Sequence, residues 1–171
     1  MNKTKGFTLL ELIVVMAIIS LMAGFGVSQF PGVQKSSRDT QRKSDLKQYQ
    51  SALESYANRK GGFYPSRTTT WMFASDGNGV TPNLCADLAM NQCPADSKIG
   101  QAACGGTGTC NYYYISNGSN NGLANATIFV LYSRLEKQVN GNDVFFIVCS
   151  GGKTGTVNVS SWGTPSSTCP L

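Results

Sequence analysis

The polarity pattern divides the chain near residue 32. From Phe7 to Phe30 runs a 24-residue stretch whose only ionisable side chain is Glu11. As a helix it extends roughly 36 Å, enough to cross a ~30 Å hydrocarbon layer. Residues 33–60 contain no Gly or Pro, and apolar residues recur at Leu46, Tyr49, Ala52/Leu53 and Tyr56/Ala57. That spacing predicts an amphipathic helix with one face to bury, ended by Gly61-Gly62. Gly24, Gly26, Pro31 and Gly32 fall at the junction. Pro31 removes a backbone donor, which predicts a kink or local melting there, and two helices with a hinge are the other reading. From Ser66 the pattern becomes Gly/Ser/Thr/Asn-rich and aperiodic, a loop region over 66–110. Strand signals follow in "NYYYIS" (111–116), "ATIFVLYSRL" (126–135) and "DVFFIVC" (143–149), with Asn140-Gly141 as a hairpin turn and "TVNVS" (156–160) as a fourth strand. The expected fold is α+β: a long N-terminal helix, apolar in its first half, packed in its second half on a 3-4-stranded antiparallel sheet with disulfide-stapled loops.

Charge refines this division. The net charge of +5 sits in the N-terminal third: residues 35–60 hold seven Lys/Arg against Asp39, Asp45 and Glu54, whereas residues 61–171 are neutral. The basic run reads as a solvated face or a contact between subunits. Phosphate affinity for nucleic acid is the less favoured alternative. Only 13% of residues are charged, and Gly, Ser, Thr and Asn are abundant, which suits a loop-rich extracellular domain.

Six cysteines and no histidine point to disulfides in an oxidising compartment, since no Cys-x-x-Cys pair or imidazole offers a zinc site. Pairing neighbours, Cys85–Cys93, Cys104–Cys110 and Cys149–Cys169, is the most economical of fifteen connectivities. Catalytic patterns fail. "SGGKTG" (150–155) lacks the earlier glycine of a P-loop, because Ile147 occupies that position. Its Ser-x-x-Lys and Lys-Thr-Gly letters overlap instead of lying on separate elements. Without histidine there is no Ser-His or Cys-His arrangement. The sequence predicts no enzyme, metal or cofactor.

Glu11 is the anomaly of the apolar run, because a carboxylate well inside a bilayer costs several kcal/mol and is read as functional. The bland alternative places it near the interface, solvated or protonated. A cleaved signal peptide fits poorly, since "MAGFGVSQF" is not a convincing cleavage site. A short basic leader ending in Gly6, followed by Phe7-Thr8-Leu9-Leu10-Glu11 and an apolar helix, resembles the prepilin signature of type IV pilins and type II secretion pseudopilins. The segment "RDTQRKSDLKQYQSALESYANRKGGFYP" resembles the following part of these proteins, so the likeness covers residues 5–65.

The resemblance implies cleavage after Gly6 and methylation of the new amino terminus at Phe7. It also implies that Glu11 supports registration between subunits, where it would neutralise a neighbouring copy's terminal amine. On this reading residues 1–6 are a leader, 7–32 a transmembrane and filament-core helix, 33–60 an amphipathic helix and 61–171 a globular head. The head comprises the Cys-bearing loops (66–110), a β-meander (111–149) and a C-terminal loop (149–171) that resembles the disulfide-closed loop of many pilins. The implied partners are other copies of the chain, a prepilin peptidase, an envelope assembly platform with its ATPase and, before assembly, the inner membrane. The implied destination is an extracellular filament. Lys35, Arg38, Arg42, Lys43 and Lys47 outnumber Lys3 and Lys5, so the positive-inside bias favours the opposite orientation. The leader signature outweighs that count, because Asp39 and Asp45 interrupt the basic run. The expected function is a type IV pilus subunit. The alternatives are a pseudopilin, disfavoured by the absence of Asp or Glu after Asp143, and a membrane-anchored binding domain.

Overall fold

The computed structural model of the protein describes residues 6–67, 72–73, 84–99, 110–119, 122–158 and 166–171. Helix α1 spans Leu9–Arg59 as one α-helical element with Pro31 inside it. Its end follows from two glycines. Gly61 (φ 68°) and Gly62 (φ 91°) take the left-handed turn that L side chains resist, and the Gly62 amide donates to the Ala57 carbonyl (2.8 Å).

Contacts divide the chain into two units, Met1–Lys35 and Ser36–Leu171. In the first, all described side chains from Gly6 to Gly26 are exposed. The window Leu9–Gly26 is long and apolar enough to cross a membrane, and none of it is buried. The hydrophobic effect leaves such a surface unsatisfied in water.

The second unit holds the core. Its strands are β1 (Tyr64–Pro65), β2 (Met72–Phe73), β3 (Tyr112–Ser116), β4 (Ala124–Ala126), β5 (Phe129–Arg134), β6 (Val144–Cys149) and β7 (Thr154–Asn158), with a short helix α2 (Leu84–Asp87) after β2. A five-stranded antiparallel sheet runs in the order β2-β3-β5-β6-β7, and β1 pairs with β4 in a separate two-stranded sheet. The larger sheet therefore exceeds the expected three or four strands by β2. The predicted 126–135 strand is divided, because Ala126 pairs with Tyr64 while Phe129 begins the run paired with β3 and β6. Between β5 and β6, Asn140 (φ 52°) and Gly141 (φ 75°) make the tight turn, closed by reciprocal bonds between Val139 and Asn142.

Alternation assigns the two faces of the sheet. Tyr112, Tyr114, Phe129, Leu131, Val144, Phe146 and Val148 join Leu46, Tyr49, Leu53, Tyr56 and Ala57 of α1 in the main core. Ile115, Val130, Tyr132, Ile147 and Cys149 form a second cluster, with Tyr113, Phe145, Val157 and Cys169 packed against it. Every residue of β5 is buried, Ser133 and Arg134 included, which explains why its first four residues, Phe129–Tyr132, read as an apolar run instead of an alternation. Disulfides join Cys85 to Cys93 and Cys149 to Cys169. Cys110 is also disulfide-bonded, and its expected partner Cys104 lies outside the described residues.

Candidate functional site

At the start of α1, Leu9 is the first helical residue, which makes Thr8 the N-cap and Glu11 the third residue of the helix. The first amides of a helix have no partner within it, so flanking side chains supply acceptors. The Thr8 hydroxyl accepts from the Glu11 amide (3.3 Å), and Glu11 Oε2 accepts from the Thr8 amide and hydroxyl (both 3.4 Å). This reciprocal arrangement is a capping box, and its T-x-x-E signal before an apolar run is legible in the sequence although the signature around Gly6 draws attention first. Glu11 therefore already serves its own helix, as an acceptor beside the partial positive charge of the N-terminus.

Phe7 is exposed, and a Cβ built on Gly6 meets nothing within 4 Å. Among the described residues, no packing demands glycine at position 6. Pro31 lies inside α1 and is exposed.

Residues 1–27 match the prokaryotic N-terminal methylation motif. The chain is also 32% identical over 74 residues to the type IV major pilin protein PilA of Myxococcus xanthus (strain DK1622). That alignment covers 38% of this chain and 34% of the relative, so the chain spans about a third of the length of the pilin it matches. No solved structure matches. The motif places the methylation signature on the stretch that contains Gly6, Phe7 and Glu11.

A second polar constellation lies in the unit Ser36–Leu171, and it shows that the basic run, read from the sequence as a solvated face or a contact between subunits, also has a member buried within its own unit. Arg42 is 1% exposed and continues the buried stripe of Leu46, Tyr49 and Leu53 by one turn. Its guanidinium donates to Asp96 through Nε (2.5 Å) and Nη2 (3.1 Å), to Asp39 through Nη1 (2.7 Å) and to Glu136 through Nη2 (3.0 Å). Arg38 forks onto both Glu136 oxygens at 2.7 Å, and Lys98 Nζ lies 3.7 Å from Glu136 Oε2. Asp39 in turn accepts from the amides of Glu136 (2.8 Å) and Lys137 (3.0 Å). Three cations thus face three carboxylates, and the planar guanidinium of Arg42 suits several acceptors at once.

Electrostatics follow from this packing. Burial pulls the Arg42 pKa down, but the hydrogen bonds and charge of Asp96, with the bonds to Asp39 and Glu136, outweigh it and hold the pKa above its ordinary value. The Arg38 hydrogen bond, opposed by burial and reinforced by Arg42, brings the Glu136 carboxyl down to about 2. Beside the cluster, Tyr112 donates to Asp45 (2.6 Å) and Tyr49 donates to the Pro94 carbonyl (2.7 Å). Burial first, then the bond to Asp45, raises the Tyr112 pKa. By contrast Lys47 is exposed, and Lys43 is half-buried with its ammonium 5.8 Å from the centre of the Phe146 ring. The network is an electrostatic clasp that joins α1, the segment after Cys93 and the residues after β5.

Proposed function

We propose that this chain is the structural subunit of a type IV pilus, inserted through residues 7–32, cleaved after Gly6, methylated on Phe7 and polymerised through its N-terminal helix. The observation that carries this reading is the exposed apolar stretch Leu9–Gly26, which begins with a capped carboxylate and lies within the matched methylation motif. A span that is apolar on every side needs lipid or other copies of itself around it. Burying Glu11 in either setting is costly unless its oxygens are hydrogen-bonded and its charge is matched. The capping box supplies acceptors and donors within the helix, and the amine freed at Phe7 supplies the matching charge from the same or a neighbouring copy.

The similarity to a major pilin supports a pilus in preference to a secretion pseudopilus. So does the absence of acidic residues after Asp143, where a pseudopilin would carry an acidic calcium loop. The reading is structural, not enzymatic. Its partners are a prepilin peptidase, an assembly platform and its ATPase, with the head outside the membrane before assembly and the product an extracellular filament.

Mass spectrometry of the mature protein tests the processing step: a chain beginning at N-methyl-Phe7 is expected, and an intact Met1 or a cut near Gln29 defeats the reading. The assembly role of Glu11 is tested separately with Glu11→Ala. The variant is expected in the membrane fraction but absent from sheared surface fibres. Fibres of normal abundance and subunit content would remove that role.

A further inference from the structure

The two described disulfides differ in exposure and in what they hold. Cys85 is 1% exposed and belongs to the main core, whereas Cys93 is exposed. In the other bridge Cys149 is fully buried and Cys169 is half-buried. Thiol–disulfide exchange requires access of a thiolate to one sulfur, and Cys93 is the most exposed cysteine of these two bridges. The residues just after it carry the polar contacts of the segment 84–99 to α1. Pro94 O accepts from Tyr49, and Asp96 accepts two bonds from Arg42. Before Cys93, Leu84, Cys85 and Leu88 are sealed in the core. The disulfide therefore ties a surface strap to a buried anchor, a few residues from the points where that strap clasps α1.

We propose that Cys93 Sγ is a thiol–disulfide exchange site, and that a dithiol acting there releases residues 93–98 from α1 while the sheet stays folded. The thiolate of the dithiol attacks Cys93 Sγ, forming a mixed disulfide as the Cys85–Cys93 bond breaks. The Cys85 sulfur leaves as thiolate and takes a proton, and the Met90 carbonyl, 3.9 Å away, is placed to accept its S–H. The second thiol of the reagent then attacks the mixed disulfide and expels Cys93. Two electrons pass to the protein, and the dithiol becomes a cyclic disulfide. Once Cys93 is free, residues 93–98 are held by their own contacts alone. Arg42 retains Asp39 and Glu136, which keeps α1 on the sheet.

The test uses the full chain in neutral detergent with dithiothreitol as the dithiol. Thiols are trapped by alkylation and mapped by mass spectrometry, with amide hydrogen exchange read on the same samples. Cys85 and Cys93 are expected to be labelled before Cys149 and Cys169. At that stage the Ile99 amide, which donates to the Asp96 backbone carbonyl (3.0 Å), should exchange at least tenfold faster while β5 and β6 keep their protection. Because coupling is reciprocal, Asp96→Asn, which loosens the strap from the other side, should speed reduction of Cys85–Cys93 several-fold. Three results would each overturn the proposal: Cys149–Cys169 opening first or together with Cys85–Cys93, strap protection unchanged after both thiols are alkylated, or a reduction rate indifferent to Asp96→Asn.

Discussion

Replacing Arg42 by Met preserves much of the side chain's length and its helix propensity but removes the cation shared by three buried carboxylates. The consequences differ among the three. Glu136 keeps the Arg38 fork, and Asp39 keeps two backbone amides. Asp96, 4% exposed, keeps only the Lys98 amide (2.8 Å) among the described residues. Breaking a buried ion pair from one side costs about 3–5 kcal/mol, because the remaining charge is desolvated without compensation. For a unit of this size that lowers the melting temperature by about 10–15 °C. Circular dichroism melts of the full chain in neutral detergent measure it. The double variant Arg42→Met/Asp96→Asn should recover part of the loss, since it removes the stranded carboxylate. The pH dependence has a definite sign. The Glu136 carboxyl falls from an ordinary 4.5 to about 2 on folding, so its pairing stabilises fully above pH 4.5 and is lost as the pH drops towards 2. The Arg38 fork, the largest cause, survives in the variant, so only the Arg42 share of this stabilisation separates the two proteins, and their gap should narrow modestly across that window. A single variant melting within about 2 °C of the parent at pH 7, or a double variant less stable than the single, would refute the clasp as a source of stability.

Two other perturbations address the head. Cys149→Ser/Cys169→Ser opens a bridge that spans a sequence separation of 20, and is expected to cost about 3 kcal/mol in urea unfolding, while the Leu46–Tyr49–Leu53 face of α1 keeps its hydrogen-exchange protection. Asn140→Val places a β-branched residue at φ 52° and should cost about 1–2 kcal/mol, with Asn140→Gly close to neutral; equal stability of the two variants would show that the turn does not need its left-handed conformation.

The elements legible in the sequence are those whose cause is local. The buried stripe Leu46, Tyr49, Leu53, Tyr56 and Ala57 follows from a spacing of three and four. The β5–β6 turn follows from Asn140-Gly141, whose backbone preference is written in two adjacent residues. The illegible parts have partners far along the chain. Arg42 stands four residues before Leu46, in line with the stripe, yet a charged residue there reads as the end of the buried face. It is buried instead because Asp96 and Glu136, 54 and 94 residues away, meet it. Asp39 and Asp45, three residues to either side, are the local hint that this part of the basic run was not simply a solvated face. The same reasoning separates the observed cap of Glu11 from its proposed role in assembly. Its capping box with Thr8 is local, needs no partner molecule and is present in the isolated chain. Its proposed contribution to assembly requires a second subunit. The cap forms without a filament, and in the proposed assembly a carboxylate that completes its own helix would enter the apolar interface with its oxygens already oriented. If the chain is processed after Gly6 as proposed, the first turn of α1 is a preorganised acceptor for the new amine.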